Sequence, residues 1–202
     1  MKTITLDKKQ IHPSKVVCIG RNYVDHIKEL NNEIPTEPVI FLKPNSSISE
    51  DLKFNDKDAV HYESEISFMV QSGKLAAVGF GLDLTKRDIQ SQLKAKGLPW
   101  ERAKAFDGSA VFSEFVSFEK IEDLRLELFI NGEFKQSGGY DLMLYKPEAV
   151  YKEICTFMTL EDGDIIMTGT PNGVGKINIG DEFIGRIYAN ETLLVERSWA
   201  VE

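Results

Sequence analysis

Cysteine is scarce: the 202-residue chain has two, Cys18 and Cys155, far apart and without a CxxC spacing. That argues against a disulfide framework and against a thiolate metal site. Both sit in apolar surroundings (VVCIG and EICTFM), which predicts two small buried hydrophobes. Long hydrophobic runs are lacking too, since none approaches the roughly 18 to 20 residues that cross a bilayer. The opening MKTITLDKKQ is too polar for a signal peptide, so a soluble, cytoplasmic protein with no membrane partner is expected. There is no basic block either. Acidic residues outnumber basic ones by 32 to 24, for a net charge of -8, and phosphate binding wants the opposite, so no nucleic-acid partner is expected. Repeats and low-complexity stretches are absent.

What is present is strand signal. KVVCIG, PVIFLK and ESEISFMV read as buried strands, and GDIIMTG, DEFIGRIY and TLLVERSWA as later ones. LRLELFI, Asn131-Gly132 and EFKQSG together predict a hairpin, because Asn-Gly accepts the positive φ angles of a type I′ turn. Helices are fewer. TKRDIQSQLKAKG carries a Thr85/Asp88 capping pattern and a terminal Gly97, while KPEAVYKEICTFMT places Val150, Ile154, Phe157 and Met158 on one stripe behind Pro147. Without regular βαβ alternation, the expectation is an α+β fold in a single domain spanning 1–202. The polar stretch RNYVDHIKELNNEIPTEP, about 21–37, reads as a surface segment with a thin apolar face, lid-like, with a short helix over residues 23 to 31.

Four groups of residues could carry chemistry. In HYESE, Glu63 and Glu65 share one face of a strand, and Asp83 in GFGLDLTKRDIQ is placed to complete three oxygen ligands for a hard divalent cation. The same pattern equally describes a solvated edge strand and a helix cap. In DHIKE, His26 and Glu29 stand at i, i+3, the spacing of a carboxylate-held imidazole base or of an incidental surface pair. TGTPNGVGK lacks the glycine and the hydroxyl of a P-loop, leaving an anion-holding loop or a tight turn. Lys104, in WERAKAFD, is flanked by apolar residues that would carry its ammonium towards buried groups.

In their order, CIGRNYVDHIKE, PVIFLKP, HYESE, LDLTKRDIQ, KGLPWERAKAFD and GDIIMTGTPNGVG resemble the fumarylacetoacetate hydrolase family, particularly its acylpyruvase-like branch, over about residues 16 to 187. The resemblance implies a mixed β-sandwich roll with peripheral helices, a homodimer, and a Mg²⁺ or Mn²⁺ ion on Glu63, Glu65 and Asp83. It implies a general-base dyad at His26 and Glu29, a site lysine at Lys104, a substrate-carboxylate threonine at Thr170, and pocket residues at Arg21, Lys43 and Gln90. The expected activity is hydrolysis of a C–C bond in acylpyruvates or related 2-oxo acids, giving pyruvate and a carboxylic acid. Alternatives are oxaloacetate decarboxylation, isomerisation or hydration of unsaturated 2-oxo diacids, and non-catalytic binding of metal and dicarboxylate. Leu82, where many relatives carry Asn, and GSAVFSEF, where a Pro-Gly-Pro-like segment is common, depart from the pattern.

Overall fold

The computed structural model describes residues 1–53 and 59–202. In chain order, a small hairpin (β1, Ile4–Leu6; β2, Lys9–Ile11) precedes β3 (Lys15–Gly20), α1 (Val24–Glu29), β4 (Val39–Pro44), β5 (Ile48–Ser49) and β6 (Val60–Tyr62). Next come the long pair β7 (Ser64–Gln71) and β8 (Lys74–Asp83), then β9 (Thr85–Lys86), α2 (Arg87–Ala95), α3 (Glu101–Lys104) and β10 (Ala110–Phe112). The rest comprises β11 (Leu124–Ile130), β12 (Glu133–Gly139), α4 (Pro147–Cys155), β13 (Ile165–Met167), β14 (Gly175–Lys176), β15 (Glu182–Ala189) and β16 (Thr192–Ala200).

Two larger sheets carry the structure. One is a mixed seven-stranded sheet in the order β4-β3-β13-β7-β8-β10-β5, and the other is antiparallel, β12-β11-β15-β16. Their sequences differ as their surroundings demand. Every residue of β7 from Ser64 to Val70 is buried, which suits a strand covered on both faces, whereas LRLELFI in β11 alternates buried and half-buried. Phe68, Phe80 and Leu82 from the first sheet meet Leu126, Leu128, Phe183, Ile187 and Trp199 from the second in one apolar core. Gly185 permits this approach: a Cβ there would lie 2.4 Å from the ring of Phe80. On the outer face of the first sheet, Val150 and Ile154 of α4 cover Val17, Ile19 and Ile166.

The hairpin forms as its turn chemistry requires, with Asn131 at φ 53° and Gly132 at φ 78°. Several expectations need correction. Thr85 does not cap α2; it lies in β9, its hydroxyl donates to the Asp83 carbonyl, and the helix starts at Arg87. Gly97, at φ 62°, does end that helix, with Leu98 N–H returning to the Leu93 carbonyl. Phe157 lies beyond the end of α4 and is exposed, and Cys155, on the last turn, is exposed while Cys18 is buried. The 21–37 segment is anchored at its start, whereas residues 28–37 are mostly exposed, as a surface segment requires. Tyr23 and Ile27 are buried, and the Asn22 side chain donates to the carbonyls of Tyr145 and Thr168 while accepting from Tyr145 N–H.

Candidate metal centre

HYESE is not one strand. The pairing breaks at Glu63, where the chain leaves β6, in a three-stranded sheet with β9 and β14, and enters β7 in the seven-stranded sheet. Asp83 closes β8, and its N–H donates to the Glu63 carbonyl at 2.8 Å. This corner brings three carboxylates together: Glu63, Glu65 and Asp83 are all buried, and each offers an oxygen within 4.8 Å of the others.

Cations surround the cluster. Lys104, on α3 and 2% exposed, donates from Nζ to Glu63 Oε2, Asp83 Oδ2 and Thr85 Oγ1, each at 2.6 Å. Arg87 pairs with the other oxygen of Glu63 and donates to Gln90 Oε1 at 2.9 Å. Lys43, wholly buried, stands 2.8 Å from Asp83 Oδ1 in an ion pair whose angle misses hydrogen-bond geometry, so that oxygen has no hydrogen-bond donor.

The electrostatics are uneven across the triad. Burial works against charge on Glu63, but Lys104 and Arg87 prevail and hold its carboxyl well below the usual range. Glu65 goes the other way: burial raises it well above, Asp83 and Glu63 add to the effect, and the Gly169 N–H at 2.7 Å offsets only part. Burial alone would lower Lys104, yet Asp83 and Glu63 push it up to about 12. The triad therefore fits a hard divalent cation. Among the described residues, it offers oxygen donors, an oxygen of Asp83 without a hydrogen-bond donor, and a Glu65 that no cationic side chain hydrogen-bonds.

His26 and Glu29 on α1 do meet, with Nδ1 to Oε2 at 3.0 Å. Glu29 Oε1 also accepts from Gly173 N–H at 3.0 Å, tying α1 to the TGTPNG loop. His26, Arg21, Glu63, Asp83, Gln90 and Lys104 line one cavity of about 30 Å³. That is room for about one or two waters. Lys43 is a correction: it is not among the lining residues, and it donates to the Lys104 carbonyl from within the core. Thr170 does not line this cavity either; its hydroxyl accepts from Gln136 Nε2 at 3.0 Å.

Three residues at the site escaped the sequence reading. Arg87 and Lys94 flank Gln90 at i−3 and i+4 on α2, a spacing that marks a shared helix face. Gln136 on β12 accepts from Ser64 N–H and Oγ, and donates to Thr170 Oγ1 and the Pro171 carbonyl. A lone glutamine in a hairpin carries no signal of that kind.

A buried carboxylate triad beside a histidine–glutamate pair defines a metal-dependent enzyme acting on small molecules. The family described as Fumarylacetoacetate (FAA) hydrolase C-terminal matches residues 15–196, and the chain belongs to that family. Oxaloacetate tautomerase YcgM of Escherichia coli is 38% identical over 189 residues, 84% of this chain and 86% of that protein. Among solved structures, a putative fumarylacetoacetate isomerase/hydrolase from Oleispira antarctica shares 36% identity with a TM-score of 0.95 over 100% of both chains. Fumarylpyruvate hydrolase from Pseudomonas aeruginosa, in complex with Mn²⁺ and pyruvate, has a TM-score of 0.88 at 26% identity, over 99% of this chain and 95% of that one. The mixed β roll expected from the sequence is the fold of this family.

Proposed function

We propose that the protein is a divalent-metal-dependent tautomerase that interconverts the keto and enol forms of oxaloacetate. Hydrolysis, the first expectation, gives way because the likeness to an oxaloacetate tautomerase, 38% identical over 84% of the chain, favours proton transfer without C–C bond cleavage. The observation that carries the chemistry is the His26–Glu29 pair at the edge of the triad cavity.

Glu63, Glu65 and Asp83 would hold a Mg²⁺ or Mn²⁺ ion, which would supply Lewis acidity towards the oxygens of a 2-oxo acid. The remaining work falls to the chain. With Nδ1–H directed at the Glu29 carboxylate, His26 presents Nε2 as the base that takes the C3 proton. The proton then returns to the 2-oxo oxygen to give the enol, and the reverse sequence restores the ketone. Lys104, held by Glu63 Oε2 and Asp83 Oδ2 at the cavity wall, stands as a positive charge beside the developing enolate.

The test follows decay of enol absorbance of oxaloacetate with protein and Mg²⁺. His26→Ala should slow the catalysed decay by about 10²- to 10⁴-fold with Mn²⁺ affinity nearly unchanged. Decay no faster than in Mg²⁺ buffer alone sinks the proposal. Acylpyruvate hydrolysis is the second reading, favoured by the likeness to fumarylpyruvate hydrolase, and pyruvate release from acetylpyruvate would reveal it.

A further inference from the structure

The structure assigns Arg21 and Lys94 as a subsite for the far carboxylate of a diacid substrate, which would make Lys94 the residue that separates diacids from mono-acids. This deepens the oxaloacetate reading and rests on it.

The argument begins with α2. Arg87, Gln90 and Lys94 occupy one helix face, and long helical side chains lean back towards the N-terminus, so Lys94 reaches towards Gln90 and the triad end of the helix. All three line the cavity with His26 and Lys104. Arg87 is already committed to Glu63 and Gln90. Lys94 is not: among the described residues it has no anionic partner, only the face of Trp100, whose centroid lies 4.9 Å from Nζ. Arg21 enters the same cavity from the end of β3. It holds φ 57°, a left-handed conformation uncommon for a side chain of this size, and its buried Nε has no hydrogen-bond partner.

Two cations without anions among the described residues, in one small cavity, are costly to keep together. Burial, and then Arg21, lower Lys94 to about 8, with Arg87 and Lys104 adding to the fall and Glu63 opposing it. An anion between Arg21 and Lys94 would relieve the repulsion and give both a partner. Because three carboxylates at the triad face the three cations Lys43, Lys104 and Arg87, a bound divalent ion leaves an excess of two positive charges there. The C1 carboxylate meets that excess, and the far carboxylate meets Arg21 and Lys94.

Calorimetry on the Mn²⁺-loaded protein with 3,3-difluorooxaloacetate and 3,3-difluoro-2-oxobutanoate tests this. The two ligands differ in the far carboxylate, and neither can enolise. The wild type should hold the diacid about 10- to 100-fold more tightly. Lys94→Gln should remove most of that preference while leaving mono-acid affinity within about two-fold, and Arg21→Gln should act in the same direction. Equal weakening of both ligands by the variants overturns the assignment. So does a wild type that holds both equally, or binds neither. A diacid preference without enol decay would retain the subsite and discard the tautomerase reading.

Discussion

Lys43 Nζ lies 2.8 Å from Asp83 Oδ1, and both side chains are sealed from solvent. A buried ammonium beside this triad carboxylate offsets part of the triad's negative charge. It also accounts for the lysine's second contact, the Lys104 carbonyl, through which it fixes the end of α3. Lys43→Met would leave Asp83 buried and short of one counter-charge, a loss of about 3 to 5 kcal/mol. Urea unfolding of the metal-free variant should show that loss, and saturating Mn²⁺ should shrink it, because the ion then covers the carboxylate. An equal loss in both conditions would mean that Lys43 is packing alone.

Among the described residues, Glu65 is the triad member that receives no hydrogen bond from a cationic side chain. Lys104 contacts Glu63 and Asp83, whereas the carboxylate of Glu65 accepts from the Gly169 N–H. Glu65→Gln keeps an acceptor for that N–H and removes the charge. Mn²⁺ at about 100 times its dissociation constant stabilises a one-site protein by about 2.7 kcal/mol. The wild type should show the corresponding rise in Tm, and the variant should lose it. A full Mn²⁺-induced rise in Glu65→Gln would remove that residue from the ligand set.

Gly173 joins the His26–Glu29 pair to the loop beyond β13. It holds φ 98°, and a Cβ there would lie 2.3 Å from the Lys135 carbonyl oxygen, while its N–H supports Glu29. Gly173→Ala must shift this turn and loosen Glu29, and with it the orientation of His26. We expect kcat to fall roughly 10-fold with Mn²⁺ affinity retained. Glu29→Gln should lower kcat in the same way, and combining the two changes should add little. Full additivity in the double variant would show that Gly173 acts elsewhere.

The parts of this site legible in the sequence are those carried by short-range spacing. The His26–Glu29 contact follows from i, i+3 on a helix, and the Asn131-Gly132 turn from its φ requirements. Glu63 and Glu65 were found through a period-two argument, although the strand in fact breaks at Glu63 and the carboxylates converge because the chain changes sheets there. Lys43 could not be placed: whether it lines the cavity or lies beneath it depends on β4 pairing with β3 and packing under α3, which no local spacing encodes. Gln136 lies 72 positions along the chain from Ser64, beyond the reach of any local spacing. Thr85 shows the reverse error, since a sound local capping pattern lost to strand pairing with His61 and to the Lys104 ammonium.

Away from the site, Asp164 stitches the start of β13 to the start of β3. Its carboxylate accepts from Ser14 N–H at 2.9 Å, Ser14 Oγ at 2.7 Å, Lys15 N–H at 3.1 Å and Glu161 N–H at 2.9 Å, and it pairs with the Lys15 ammonium. Burial opposes its charge, but Lys15, Ser14 and the Glu161 N–H outweigh it and lower its pKa. A depressed folded value means the stabilisation is fully present above the unfolded pKa of about 3.9 and is lost as pH falls through the lower folded value. Asp164→Asn should therefore cost about 2 kcal/mol at pH 7. The gap between variant and wild type should close as the pH falls below about 4. Urea titrations across that range measure it directly, and a gap that stays constant into acid would show that the amide loses geometry and not charge.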